Sequence, residues 1–126
     1  AFRVLQQGGE LLAAANNRYF KDDDGELSMD AGCFVAALEY ASGKKARILG
    51  KPSREFFHLA CASMDAAPEE TAMVGDDIES DIHGAREAGL KAVLVKTGKF
   101  APADLERGIT PDRVLNSIAE LTTLTF

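Results

Sequence analysis

Four residues carry the chemistry this sequence could perform: Lys51, Asp76, Asp77 and Asp81. Asp77 and Asp81 stand four apart at the opening of a helical stretch, so their side chains share a face. Asp76 lies beside them, just past the apolar run Thr71-Ala72-Met73-Val74. Carboxylates this close repel and raise one another's pKa. A helix N-terminus offsets only about 0.3–1 kcal/mol per charge. A hard divalent cation offsets far more, and Mg²⁺ is usually held by one or two carboxylates together with water and a phosphate oxygen. The competing reading is a solvated acidic helix start with Asp77 as N-cap, and spacing alone does not separate the two. Lys51, between Gly50 and Pro52, is the natural cation to balance the cluster and acts on phosphate as a point charge. By itself a lone loop lysine is simply solvated.

The elements around these residues are those of a parallel α/β layer. Ser53 is placed to cap a helix that carries Phe56, Phe57, Ala60, Cys61 and Met64 as one apolar stripe. Thr71 to Val74 is an apolar strand ending at Asp76, and Ile78, Ile82 and Ala85 mark one face of the next helix, stopped by Gly89. Ala92 to Val95 is a second apolar strand, followed by Thr97-Gly98-Lys99. A short helix over 103–107, a strand over 113–115 and a last helix from Ser117 complete this part. Wholly apolar strands alternating with helices indicate a parallel sheet covered on both faces. Ligands of such sheets bind beyond the carboxyl ends of the strands, where Asp76, Asp77, Thr97 and Lys99 fall; Lys51 precedes the helix that leads into the first strand.

The first 49 residues read differently. A helix tail stops at Gly8-Gly9, a short strand covers 10–14, and Asn16-Asn17 breaks it. Asp22-Asp23-Asp24-Gly25 is a hairpin turn between Tyr19-Phe20 and Leu27-Met29. A helix with Phe34, Leu38 and Ala41 on one face ends at Ser42-Gly43, and a strand covers 46–49. The boundary between the two parts falls near Leu49-Gly50.

Bulk properties bound the rest. The chain has 126 residues, 46% hydrophobic and 27% charged, which is globular composition. Its net charge of −6 argues against nucleic-acid binding, and no apolar run approaches the roughly 20 residues of a membrane span. Cys33 and Cys61 form no metal-ligand pattern and read as small buried hydrophobes, which fits a reducing cytoplasm. No targeting signal is visible. The chain opens on Ala1, and an upstream segment is expected to precede it.

Taken together, Gly50-Lys51-Pro52-Ser53 and Val74-Gly75-Asp76-Asp77-Ile78-Glu79-Ser80-Asp81-Ile82 resemble the third and fourth motifs of haloacid dehalogenase (HAD) phosphatases. Gly84-Ala85-Arg86-Glu87-Ala88-Gly89-Leu90 and Val93-Leu94-Val95-Lys96-Thr97-Gly98-Lys99 continue the likeness. The branch is the one with a large α/β cap, and Asn17-Arg18-Tyr19-Phe20 and Ala37-Leu38-Glu39-Tyr40-Ala41-Ser42-Gly43 look like the closing part of that cap. The resemblance implies an α/β fold with residues 1–49 as the end of the cap and 50–126 as the C-terminal half of a Rossmann-like core. It implies that Asp76 binds Mg²⁺, that Asp77 joins the metal's shell, that Lys51 steadies a nucleophilic carboxylate and phosphoryl oxygens, and that Asp81 orients Lys51 or a metal-bound water. Asn16, Asn17, Arg18, Thr97 and Lys99 are candidates for touching a small phosphorylated substrate. The reaction implied is phosphoryl transfer to an Asp and hydrolysis of the aspartyl-phosphate.

The family's nucleophile lies in an Asp-x-Asp-Gly-Thr/Val motif after a buried strand near the N-terminus, and this chain has none there. Asp22-Asp23-Asp24-Gly25 is a decoy: Arg18-Tyr19-Phe20-Lys21 is no buried strand, and Glu26 stands where Thr or Val belongs. It is no EF-hand loop either, since Phe20 occupies the first ligand position. His58 and His83 have no partners at catalytic spacing. Two readings follow: part of a phosphatase, inactive alone and expected to self-associate or pair with an N-terminal half, or a non-catalytic scaffold built on the same shell. The carboxylate cluster favours the first, because a scaffold has no need of it.

Overall fold

The structure, a computed structural model, describes residues 1–123. Helix α1 (Phe2–Gln6) buries Leu5 and leads into β1 (Leu12–Ala13). β1 pairs in parallel with β4 (Arg47–Ile48), placing Leu12 opposite Arg47 and Ala13 opposite Ile48. Between them, β2 (Tyr19–Lys21) and β3 (Leu27–Met29) form an antiparallel hairpin whose turn holds the Asp22–Gly25 tetrad. The decoy carboxylates are spent on that turn: Asp22 accepts from Asp23 N and Ser28 Oγ, and Asp24 accepts from Glu26 N.

Helix α2 (Ala31–Ser42) starts at Asp30, whose carboxylate accepts from Ala31 N at 2.6 Å, and ends at Gly43 in the left-handed region. Gly32 N donates to Asn17 O at 2.9 Å, which seats the 16–18 loop on the start of this helix. The expected apolar face is not the buried one. Phe34 is 63% exposed, while Gly32 and Val35 are buried. The helix turns its smallest residue to the loop, and the Phe34 ring, two positions further along and so on the other side of the helix, points outward.

The second part is a three-stranded parallel sheet in the order β5 (Ala72–Gly75), β6 (Lys91–Val95), β7 (Arg113–Leu115). Gly75 registers with Leu94, and Val95 with Leu115. Central β6 is buried from Ala92 to Val95, as a strand covered on both faces must be. β5 is an outer strand among the described residues and only half-buried, the exposed edge expected of Thr71 to Val74 when its other neighbour is not part of the chain. One face packs Leu94 and Ala92 against Phe57, Cys61, Ile82 and Ala85; the other groups Val93, Val95 and Leu115.

Helix α3 (Arg54–Ser63) follows a cis Lys51–Pro52 peptide. Its buried stripe is narrower than expected: Phe57 and Cys61 are inside, whereas Phe56 and Met64, the latter 58% exposed, are not. Phe57 and Cys61 lie on the side that packs with Ala85 of α4 (Gly84–Glu87), so burial follows one i, i+4 line. Ser53 precedes the helix without a capping side-chain hydrogen bond. The largest departure lies after Asp77. Residues Ile78–His83 are π-helical, with Ile82 N reaching Asp77 O at 3.2 Å, and α4 continues from them. Such wide turns cluster at functional sites. Ile78, Ile82 and Ala85 are buried as their spacing predicts. The expected helices at 103–107 and from Ser117 are 3₁₀ turns, Pro102–Glu106 and Ile118–Thr123; the end of the latter expectation, 124–126, lies outside the described residues.

Candidate active site

The carboxyl ends of β5 and β6 bring the predicted residues together. Asp81 is the anchor. Its side chain is 5% exposed, and Oδ1 accepts from Lys51 Nζ at 2.7 Å. Lys51 is 37% exposed, so one end of the pair is fixed inside while the ammonium reaches the surface. The other Asp81 oxygen accepts from Asp77 N at 3.3 Å, so a single buried carboxylate joins Lys51 to the Asp76–Asp77 turn. Gly75 makes this possible: a Cβ there would collide with the Asp81 carboxylate.

Asp77 is both N-cap and ion-pair partner. Its Oδ1 accepts from Glu79 N at 3.1 Å and Ser80 N at 3.0 Å, and its Oδ2 meets Lys99 Nζ at 3.1 Å. Burial works against the charge on Asp77. The Ser80 N–H and the Lys99 ammonium outweigh it and hold the carboxyl below its ordinary range. Asp76 Oδ2 accepts from Lys99 N at 2.5 Å, and the loop closes that tightly because Gly98, at φ +54°, has no side chain to strike the Asp76 carboxylate.

The N-cap reading and the cluster reading are therefore both realised in Asp77. The self-repulsion inferred from spacing is relieved by two lysines of the chain itself, Lys51 at Asp81 and Lys99 at Asp77. Among the described residues, no group of three or more His, Cys, Asp or Glu side chains converges as a ready metal cage. The donor set still fits Mg²⁺, which needs only one or two carboxylates plus water and a phosphate oxygen. Asp76 suits it best, since only one of its oxygens is engaged among the described residues.

The substrate candidates divide. Arg18 lines a shallow cleft with Tyr19, Asp76, Asp77 and Lys99. Asn16, Asn17 and Arg18 line an adjoining cavity that reaches Pro52, Asp77 and His83. Thr97 is exposed and lines neither. His58 bonds Ala88 O at 2.9 Å, on the side of α3 facing α4.

Sequence reading missed four contributors. Ser80 is buried and donates to Asp77. Tyr19 lies with its ring centroid 6.0 Å from Lys99 Nζ. Glu79 and Arg107 form an ion pair at the rim of the cleft, with Asp104 3.6 Å from the same guanidinium. Only Gly75 and Gly98, each beside a charged residue, offered a signal of close backbone approach; Tyr19 and Arg107 are joined to the site by tertiary folding alone.

A protein-family profile described as HAD-hydrolase-like matches residues 48–121. The chain is 47% identical over 122 residues to the phospholysine phosphohistidine inorganic pyrophosphate phosphatase of Xenopus laevis, covering 94% of this chain and 45% of that protein. It superposes on the 4-nitrophenylphosphatase of Thermotoga maritima with a TM-score of 0.86 at 32% identity, covering 97% of this chain and 47% of the other. A glycerol phosphate phosphatase of Mycobacterium tuberculosis, solved in complex with magnesium, matches at a TM-score of 0.76 and 30% identity, over 89% and 34%. The chain thus spans less than half the length of these relatives.

Proposed function

The chain belongs to the HAD-like hydrolases, and on that premise we propose that the intact protein is a Mg²⁺-dependent phosphatase of small phosphate monoesters, acting in the cytoplasm. Residues 1–49 are read as the end of its cap and 50–126 as the C-terminal half of its core. The observation that carries the reading is Asp81: one buried carboxylate ties the surface-reaching ammonium of Lys51 to the turn that bears Asp76 and Asp77.

Mg²⁺, held by Asp76 with Asp77 in its shell, would supply charge neutralisation at the phosphoryl oxygens. Lys51, kept in place by Asp81, adds a preorganised positive charge on the same group. The Asp77 Oδ1 bonds fix the start of the π-helical segment, so Asp76 and Asp81 keep their relative positions through the reaction. Asn16, Asn17 and Arg18 border the adjoining cavity, where the alcohol part of a substrate would sit. An aspartate outside this chain would attack phosphorus as the ester P–O bond breaks and the alcohol leaves with a proton. Water would then cleave the aspartyl-phosphate, releasing phosphate and restoring the carboxylate. The relatives named as phosphatases support this chemistry.

The test is Asp76→Asn in the intact protein, assayed on p-nitrophenyl phosphate with and without Mg²⁺. Turnover should be nearly abolished. Near-normal Mg²⁺-dependent turnover by the variant would sink the assignment of Asp76, whereas no turnover by the wild type would leave the scaffold reading in its place.

A further inference from the structure

Resting on that Mg²⁺ reading, we propose that Lys99 is a built-in counter-cation of the metal site: it holds the empty carboxylates in place and sets the affinity for the arriving ion by yielding Asp77 to it. Lys99 grips the acidic turn at two points. Its main-chain N–H donates to Asp76 Oδ2, and its ammonium meets Asp77 Oδ2 at 3.1 Å. The second contact is sheltered, with side-chain exposures of 20% for Lys99 and 21% for Asp77. Asp77 Oδ1 is committed to the Glu79 and Ser80 N–H groups. Oδ2 is therefore the oxygen Asp77 has to offer a ligand, and Lys99 occupies it.

A divalent cation and an ammonium on one carboxylate oxygen repel strongly at such range and depth. The main-chain contact to Asp76 does not depend on the side chain, so the loop can stay while the ammonium leaves. The four-carbon stem of lysine permits the swing. The Tyr19 ring of the hairpin, 6.0 Å from Nζ, offers a face on which the displaced charge can rest. The hairpin thereby feels whether the site is loaded. Without the ion, Lys99 removes the repulsion that would otherwise push the carboxylates apart. Its presence makes the ion compete for Asp77.

The experiment titrates Mg²⁺ calorimetrically into the intact protein, wild type, Lys99→Met and Lys99→Arg. Lys99→Met should bind Mg²⁺ about tenfold more tightly, since the competing charge is gone. Lys99→Arg, which restores the charge, should return to within about threefold of wild type. A merely structural lysine would give the opposite for Lys99→Met, weaker binding from a loosened site. Unchanged or weaker binding by Lys99→Met therefore overturns the proposal while leaving the Mg²⁺ reading intact. Absence of Mg²⁺ binding by every protein overturns both. Should Lys99→Met fail to fold, the wild type decides by NMR of its lysine ammonium groups. Mg²⁺ saturation should shift the Lys99 Nζ signal, and an unmoved signal rejects the idea.

Discussion

The two parts of this chain spend similar apolar side chains in opposite ways. Before Leu49 the buried hydrophobic residues are Leu5, Ala13 and Val35, while Leu27, Met29, Phe34 and Tyr40 face outward. After Gly50, Phe57, Cys61, Ile78, Ile82 and Ala85 close on β6 in one continuous cluster. Burial of apolar surface is what fixes a backbone, so the difference assigns roles. Lys51, Asp76, Asp77 and Asp81 stand on elements locked by a core. Asn16, Asn17, Arg18 and Tyr19 stand on a loop and a hairpin held mainly by main-chain hydrogen bonds. Positions that need fixed geometry fall in the first class, and positions that meet variable substrate groups fall in the second.

The most drastic way to break this contrast is to work with residues 1–126 alone. β5 is an outer strand with one neighbour among the described residues, and Phe56, Leu59 and Met64 leave α3 apolar on its far side. Unpaired edges recruit other chains. We expect self-association in a solution-mass measurement and no Mg²⁺-dependent hydrolysis of p-nitrophenyl phosphate, with turnover appearing only when an upstream half is added. A monomer with turnover would refute this and reopen Asp22 and Asp24 as nucleophile candidates.

Within the folded intact protein, the contrast predicts unequal costs for equal truncations. Phe57→Ala empties a site that is only 2% exposed and should cost about 3–5 kcal/mol. Phe34→Ala removes the same ring from α2, where it is mostly solvated, and should cost about 0.5 kcal/mol or less. Chemical denaturation of the two variants measures both. Comparable losses would mean that α2 is covered in the intact protein and that the two parts are not different in kind.

Lys51→Met sharpens the contrast from the chemical side. Its loss unpairs the Asp81 carboxylate, which is only 5% exposed, so the variant should still fold but lose about 1–3 kcal/mol of stability, while the rate falls about 10²–10³-fold, the usual cost of a preorganised charge. Lost activity explained by a collapsed melting temperature would make Lys51 a structural partner of buried Asp81 and nothing more.

The same division governs what could be read in advance. The strands at β5, β6 and β7, the hairpin and the grouping of Asp76, Asp77 and Asp81 are legible, because apolar runs, an Asp-Gly turn and acidic spacing are local patterns; Lys51, 25 residues before Asp76, joins them in advance only through the motif resemblance. The exposed faces of α2 and α3 are not legible, since periodicity marks a face that can be buried and is silent on whether a partner exists. The π-helical turn at Ile78–His83 leaves no trace in the apolar spacing of Ile78 and Ile82. The Lys99–Asp77 pair joins residues 22 apart in sequence across two strand ends. Only the parallel order of β5 and β6 creates it.

A small predicted effect tests how firmly β7 is tied to the locked part. Asp112 accepts from Ala92 N at 2.8 Å and from Arg86 Nη1 at 2.9 Å, so it clamps the entry of β7 to β6 and to α4. The Ala92 N–H lowers its pKa first; burial opposes, and the Arg86 guanidinium assists. A carboxyl held below its unfolded value, about 3.9, contributes stability above that pH and loses it as pH falls through the folded value. Asp112 is partly solvated, so Asp112→Asn should cost only about 0.5–1 kcal/mol at neutral pH. The gap between wild type and variant should then close below about pH 4, as the wild-type carboxyl takes up its own proton. Denaturation curves at pH 7 and at stepwise lower pH measure it. A gap that persists unchanged in acid would show that the shape of the side chain, and not its charge, holds β7 in register.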